Sequence, residues 1–123
     1  MYKIKFYKDK YGNSPILQYI KNLQKKNDKD SRIKAGKIND YIQALCENGT
    51  TLGEPFMKKL DDEIWELRPL RDRILFAVWV GNSFLLISHF MKKTKKTPIR
   101  EIEKAKRLLK EFLERSKRDG ENL

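Results

Sequence analysis
Arginine and lysine gather in three short stretches of this chain: Lys58-Lys59, the segment Arg68 to Arg73, and the run Lys92-Lys93-Thr94-Lys95-Lys96. Cations fixed at strand ends suit a phosphodiester backbone, because each one that meets a phosphate releases a condensed counterion. In Ile64 to Leu70, residue alternation puts Trp65 and Leu67 on one face and Glu66 and Arg68 on the other. In Arg73 to Val80, the apolar face is Ile74, Phe76, Val78 and Val80. The opposite face is Arg73, Leu75, Ala77 and Trp79. Glu66, Arg68 and Arg73 are therefore expected together, with Arg71 beside them, Lys58 and Lys59 just upstream, and Lys92 and Lys93 at the end of the last strand. The same pattern also fits solvated charges at a sheet edge, or a simple pairing of Glu66 with an arginine.

His89 is the only histidine, so proton transfer near neutral pH would naturally turn to it. Alternation places it on the face of Leu85 and Ile87, where a structural role fits equally well. The basic run from Lys92 to Lys96 reads either as a phosphate-contacting loop or as a solvated one. Phe84, Phe90 and Trp79 lie near enough in sequence for base stacking, though core packing also accounts for each. Asp61, Asp62 and Glu63 are consecutive and do not converge on one ion. Cys46 is the only cysteine, which removes internal disulfides and argues against a cysteine-based metal site. No Gly-rich phosphate loop and no Ser–His–Asp arrangement can be traced. No metal and no cofactor are expected.

A net charge of +11 and a pI near 9.8 draw the protein to polyanions: nucleic acid, a ribosome, an anionic surface or an acidic protein. The 123 residues suffice for one domain spanning 1–123, with 118–123 as a frayed tail. Cysteine usage is compatible with a reducing cytoplasm, the expected compartment. Met1 to Lys10 lacks the apolar run of a signal peptide. No stretch approaches the roughly 20 apolar residues of a membrane span, so no membrane partner is expected.

The elements that position these side chains follow from periodicity. Tyr2, Ile4 and Phe6 alternate with lysines, which predicts a first strand at a sheet edge. Ser14-Pro15 reads as an N-cap followed by proline at the first helical position, opening a helix to about Lys26. Asn27 to Asp30 breaks it. Ala35, Ile38, Ile42 and Leu45 mark a second helix, stopped by Asn48-Gly49. Gly53 to Leu60 is expected to be a loop. Three antiparallel strands follow as a meander, with a tight turn at Gly81-Asn82-Ser83. Thr97-Pro98 then caps a third helix carrying Ile102, Ala105, Leu109 and Phe112. The expected fold is α+β, with a small, mostly antiparallel sheet in the order β-α-α-β-β-β-α.

Four blocks, Gly53 to Leu60, Ile64-Trp65-Glu66-Leu67-Arg68, Arg73-Ile74-Leu75-Phe76 and His89 to Pro98, together resemble the HigB-type toxins of bacterial toxin–antitoxin pairs. These form the phage-derived branch of the RelE/ParE superfamily. The likeness covers most of the chain and is strongest from Gly53 to Ala105. It implies a RelE-like fold and a metal-independent, ribosome-dependent endoribonuclease that cuts translated messenger RNA by attack of the ribose 2′-hydroxyl. It also implies a cognate HigA-type antitoxin with a helix-turn-helix domain, and operator DNA contacted only through that antitoxin. On this resemblance Arg68 and Arg73 stabilise the scissile phosphate, Lys93 and Lys92 bind phosphate or help with proton transfer, and Glu66 orients or acts as base. Lys58, Lys59, Arg71, Lys95, Lys96 and His89 complete the expected RNA contacts. The ParE branch of the superfamily offers the alternative, a non-enzymatic inhibitor of DNA gyrase on the same scaffold.

Overall fold
The computed structural model describes residues 1–118. The expected frayed tail lies outside the described residues, except Arg118, which still belongs to the last helix. The chain runs through β1 (Lys3–Phe6), α1 (Pro15–Lys25), α2 (Lys29–Asn48), a short 3-10 helix (Gly49–Leu52), β2 (Met57–Lys59), β3 (Trp65–Leu67), β4 (Asp72–Trp79), β5 (Ser83–Met91) and α3 (Ile99–Arg118). The result is an α+β fold in which, among the described residues, one five-stranded sheet is flanked by three helices.

Local chemistry fixes the helix ends. The Ser14 hydroxyl oxygen accepts from the Leu17 N–H at 3.4 Å, and Pro15 stands at the first turn, where its missing N–H costs nothing. Asp28 accepts from the Ser31 N–H at 2.9 Å and so caps α2. The expected break at Asn27 to Asp30 is thus a cap: α2 begins at Lys29. Gly49 ends α2 with φ +62, and a Cβ there would lie 2.7 Å from the Tyr2 ring. Only glycine meets both demands.

The sheet order is β1-β5-β4-β3-β2. The pairs β2–β3, β3–β4 and β4–β5 are antiparallel. β1 lies parallel to β5, so the sheet is mixed. β1 is an edge strand, as its lysines suggest. The expected element order needs one correction. Met57–Lys59, read as loop, forms β2, the opposite edge of the sheet. Three residues are too few for a period-two signal, and two of them are lysines. At the β4–β5 turn Gly81 and Asn82 both adopt positive φ, which explains that residue choice.

Both faces of the sheet are covered. On one, Ile16, Ile20, Leu23, Ile38 and Leu45 of α1 and α2 pack on Leu67, Ile74, Phe76, Phe84 and Leu86. On the other, Ala105, Leu109 and Phe112 of α3 pack on Leu75, Ala77, Leu85 and Ile87. Phe76 is fully buried, and truncating such a ring to alanine costs about 3–5 kcal/mol. Val78 and Val80, expected on the apolar face, are 61% and 42% exposed.

A β-bulge changes the side-chain parity. Leu75 pairs with Ser88, but Phe76 pairs with Leu86, so Ile87 is an extra residue in β5. Beyond it the alternation flips. His89 consequently sits with α1 rather than on the Leu85 and Ile87 face: its ring stacks on Tyr19 at 3.9 Å between centroids. Phe90 joins the α3 side instead. Strict period-two counting places both residues on the wrong face.

Candidate nucleic-acid interface
Glu66 lies in the middle of β3 on the α3 side and is 1% exposed. A buried carboxylate needs partners, and it has them. Arg68 Nε donates to Glu66 Oε1 at 2.9 Å, and Arg73 Nε stands 3.9 Å from the same oxygen. Thr97 donates its hydroxyl to Oε2. Both carboxylate oxygens are thus engaged. Thr97, expected to cap α3, reaches across to β3, and the helix opens at Ile99 behind Pro98.

Arg73, the arginine of β4, is 8% exposed. Its Nη1 donates to the carbonyls of Leu70 and Asp72 at 2.8 and 2.9 Å. These bonds lock the guanidinium at the strand entrance. Burial pushes its pKa down; the nearby Arg68 charge works the same way, and Glu66 opposes both. An arginine nevertheless stays protonated, so the site holds a fixed, desolvated cation.

The loop after β5 folds back over this pair. Lys92, Lys95, Lys96 and Thr97 line a narrow cleft together with Glu66 and Arg73. Beside it opens a groove of about 360 Å³ lined by Leu70, Arg71, Arg73, Lys92, Lys93, Thr94 and Lys95. The loop is braced internally by the Thr94 hydroxyl, which donates to the Lys96 carbonyl at 2.7 Å. The Lys92 N–H donates to the Arg71 carbonyl at 2.8 Å, and Arg71 Nη2 donates to the Lys92 carbonyl at 3.1 Å. Two strand ends therefore present one cationic rim.

The expected cluster of Glu66, Arg68 and Arg73 comes together, and Lys92, Lys93, Lys95, Lys96 and Arg71 lie around it. Lys58 stands directly across from Glu66 in the β2–β3 register, on the same face. Lys59 belongs to the opposite face, with its ammonium 5.9 Å from the Trp65 ring centroid. His89 is likewise on that other face. Of the aromatics considered for stacking, Phe84 is buried in the core and Trp79 packs edge-on against Phe112. Phe90 lines the cleft.

A second polar cluster escapes sequence reading. Asp72 is fully buried, and its Oδ1 accepts from the Tyr19 hydroxyl at 2.8 Å and from His89 Nε2 at 3.0 Å. Its Oδ2 is buried and has no hydrogen-bond partner among the described residues. Burial works against the Asp72 charge, but the bonds from His89 and Tyr19, with the Lys34 charge nearby, prevail and hold its pKa below the ordinary value. Burial, together with the hydrogen bond to Asp72, pushes the Tyr19 phenol up. Tyr19 falls on the apolar stripe of α1 and Asp72 between two arginines, so neither stands out. The one available signal is that a half-buried lone histidine needs a hydrogen-bond partner.

Among the described residues, no group of three or more His, Cys, Asp or Glu side chains is arranged to hold a metal ion. No described helix is long and apolar enough to cross a membrane. No curated protein matches the sequence. A family match does cover residues 18–110, which takes in most of α1, all of α2, the cationic cluster and the basic loop. The chain belongs to the family described as Phage derived protein Gp49-like (DUF891).

Proposed function
We propose that this chain is a single-domain toxin of the HigB type, on a RelE-like scaffold, that acts in the cytoplasm as a ribosome-dependent endoribonuclease. The observation that carries the reading is the Glu66–Arg68–Arg73 cluster, whose Arg73 lines a groove rimmed by Arg71, Lys92, Lys93 and Lys95. Membership of a phage-derived family supports it. So does the net charge of +11, which suits a message on a ribosome.

The reaction assigned to this site is an internal transfer. The ribose 2′-hydroxyl gives its proton to solvent water as its oxygen attacks the adjacent phosphorus, the bond from phosphorus to the 5′-oxygen breaks, the 5′-oxygen takes up a proton, and the products are a 2′,3′-cyclic phosphate and a 5′-hydroxyl. Negative charge grows on the non-bridging oxygens in the transition state. Arg73, already desolvated and locked, and Arg68 beside it are the groups to meet that charge, without reorganisation at the moment of reaction. Lys92 and Lys95 hold the flanking phosphates. Lys93, exposed on the groove, supplies the proton taken by the departing 5′-oxygen. Glu66 orients the two arginines; with both oxygens occupied it is poorly placed to receive a proton. A HigA-type antitoxin would neutralise the toxin, and operator DNA would be met through that antitoxin.

The test is to map new 5′ ends on a translated reporter message and on an untranslated copy after brief induction. The expected result is new ends on the translated message alone. Growth arrest with no new ends would contradict the proposal and turn attention to a gyrase-type target.

A further inference from the structure
A second cavity, of about 250 Å³, adjoins the cationic groove and shares Leu70 and Arg71 with it. Its other walls are Asp30, Ile33 and Lys34 from the start of α2, and Met91 from the end of β5. The size lies below the roughly 300–1,000 Å³ of a drug-sized ligand site and suits one flat ring system. The lining is unusual for so polar a chain. Ile33, Leu70 and Met91 are 44%, 49% and 37% exposed, and they meet at one place.

Two further features hold this cavity in shape. Leu70 adopts φ +55, a conformation that leucine rarely takes, and such outliers concentrate at functional sites. Met91 is tied to its neighbours: its sulfur accepts from Lys34 Nζ at 3.5 Å and lies 3.9 Å from the Tyr19 hydroxyl. The Arg71 guanidinium is tied to the Lys92 carbonyl at the boundary between groove and cavity. An arginine plane held this way offers a stacking surface to a base and a charge to its phosphate.

We propose that this cavity receives one unpaired RNA base next to the phosphate held by Arg73, and so sets the nucleotide preference of cleavage. The inference rests on the endoribonuclease reading and gives that site its substrate selectivity. Charge complementarity selects the occupant. The cavity is continuous with a cationic groove and is flanked by Lys34 and Arg71, so what enters carries negative charge beside a flat apolar group. Asp30 at the wall favours a base edge that donates hydrogen bonds.

The test uses ribosomes programmed with short synthetic messages that differ only in one abasic nucleotide, moved through the positions flanking the cut. For the wild type, removing the base at one position should slow cleavage about tenfold or more, in line with the worth of a stacked base. For Leu70→Gly, which the positive φ tolerates, the ratio of intact to abasic rates at that position should fall to near one. Ile33→Ser, on an exposed helix face, should do the same. An unchanged ratio in both variants, or no sensitive position in the wild type, would overturn the proposal while leaving the cleavage reading intact. A wild type that cuts none of the messages would instead defeat the endoribonuclease reading. Variants that keep the wild-type ratio but escape neutralisation by the cognate antitoxin would reassign the cavity to protein docking.

Discussion
Asp72 and Glu66 are both buried carboxylates, 0% and 1% exposed, and they lie on opposite faces of one sheet. Asp72 is enclosed: Tyr19 and His89 bind it beneath α1. Glu66 instead faces cations, with Arg68, Arg73 and Thr97 around it and the basic loop above. Burial alone therefore says little about role. The partners and what lies beyond them decide it. The Asp72 cluster staples α1 to the ends of β4 and β5, whereas the Glu66 cluster aims fixed charge into a groove. On this view removing an Asp72 partner costs stability, and removing a Glu66 partner costs chemistry.

The largest effect expected is at Arg73. Arg73→Ala should reduce cleavage by about 10²–10³-fold, the usual loss on removing one preorganised transition-state donor. Its unfolding curve should stay close to wild type, because Glu66 keeps Arg68 and Thr97. Glu66→Gln should sharpen the contrast by failing in both respects. It leaves Arg73 buried without a counter-charge, which costs on the order of 3 kcal/mol, and it loosens both arginines. Urea unfolding and cleavage rate on one preparation would measure the two together. Asp72→Ala should lose about 2–3 kcal/mol through the two hydrogen bonds to its charged acceptor, with cleavage by the folded fraction retained.

The pH dependence follows from the sign of the Asp72 shift. Its folded pKa lies below the unfolded value of about 3.9. The stabilisation is complete above the unfolded value and is lost as pH falls through the folded one. The stability gap between wild type and Asp72→Asn should therefore close as acid is added below about pH 4, read by urea unfolding followed by tryptophan fluorescence. The smallest expected effect is in the salt dependence of RNA binding. Lys92→Ala and Lys95→Ala should each reduce the slope of log affinity against log salt by about 0.7. Lys59→Ala, on the other face, should leave that slope unchanged.

The stretches with long, unbroken patterns were legible in the sequence. The stripes of α1 and α2, with the Ser14 cap of the first and the Gly49 stop of the second, were readable, though the Asp28 cap of α2 read only as a break, and alternation through β3 and early β4 put Glu66, Arg68 and Arg73 on one face. Reading failed where the pattern is short or interrupted. β2 is too brief to show a period. The parallel placement of β1 beside β5 is a long-range pairing with no local signature. The extra residue Ile87 shifts parity within an otherwise regular strand, and a bulge of one residue leaves no mark in an apolar run. That single shift carried His89 to the far face, and with it the Tyr19–Asp72–His89 cluster, which draws on three separate elements.

The most direct test of this account compares Arg73→Ala and Asp72→Ala side by side, measuring urea stability and cleavage of a ribosome-bound message for each. The account predicts a folded Arg73→Ala that does not cut, and an Asp72→Ala that cuts at near the wild-type rate per folded molecule but unfolds at lower urea. An Arg73→Ala that cuts normally, or an Asp72→Ala that is as stable as wild type and inactive, would contradict the division of roles between the two faces.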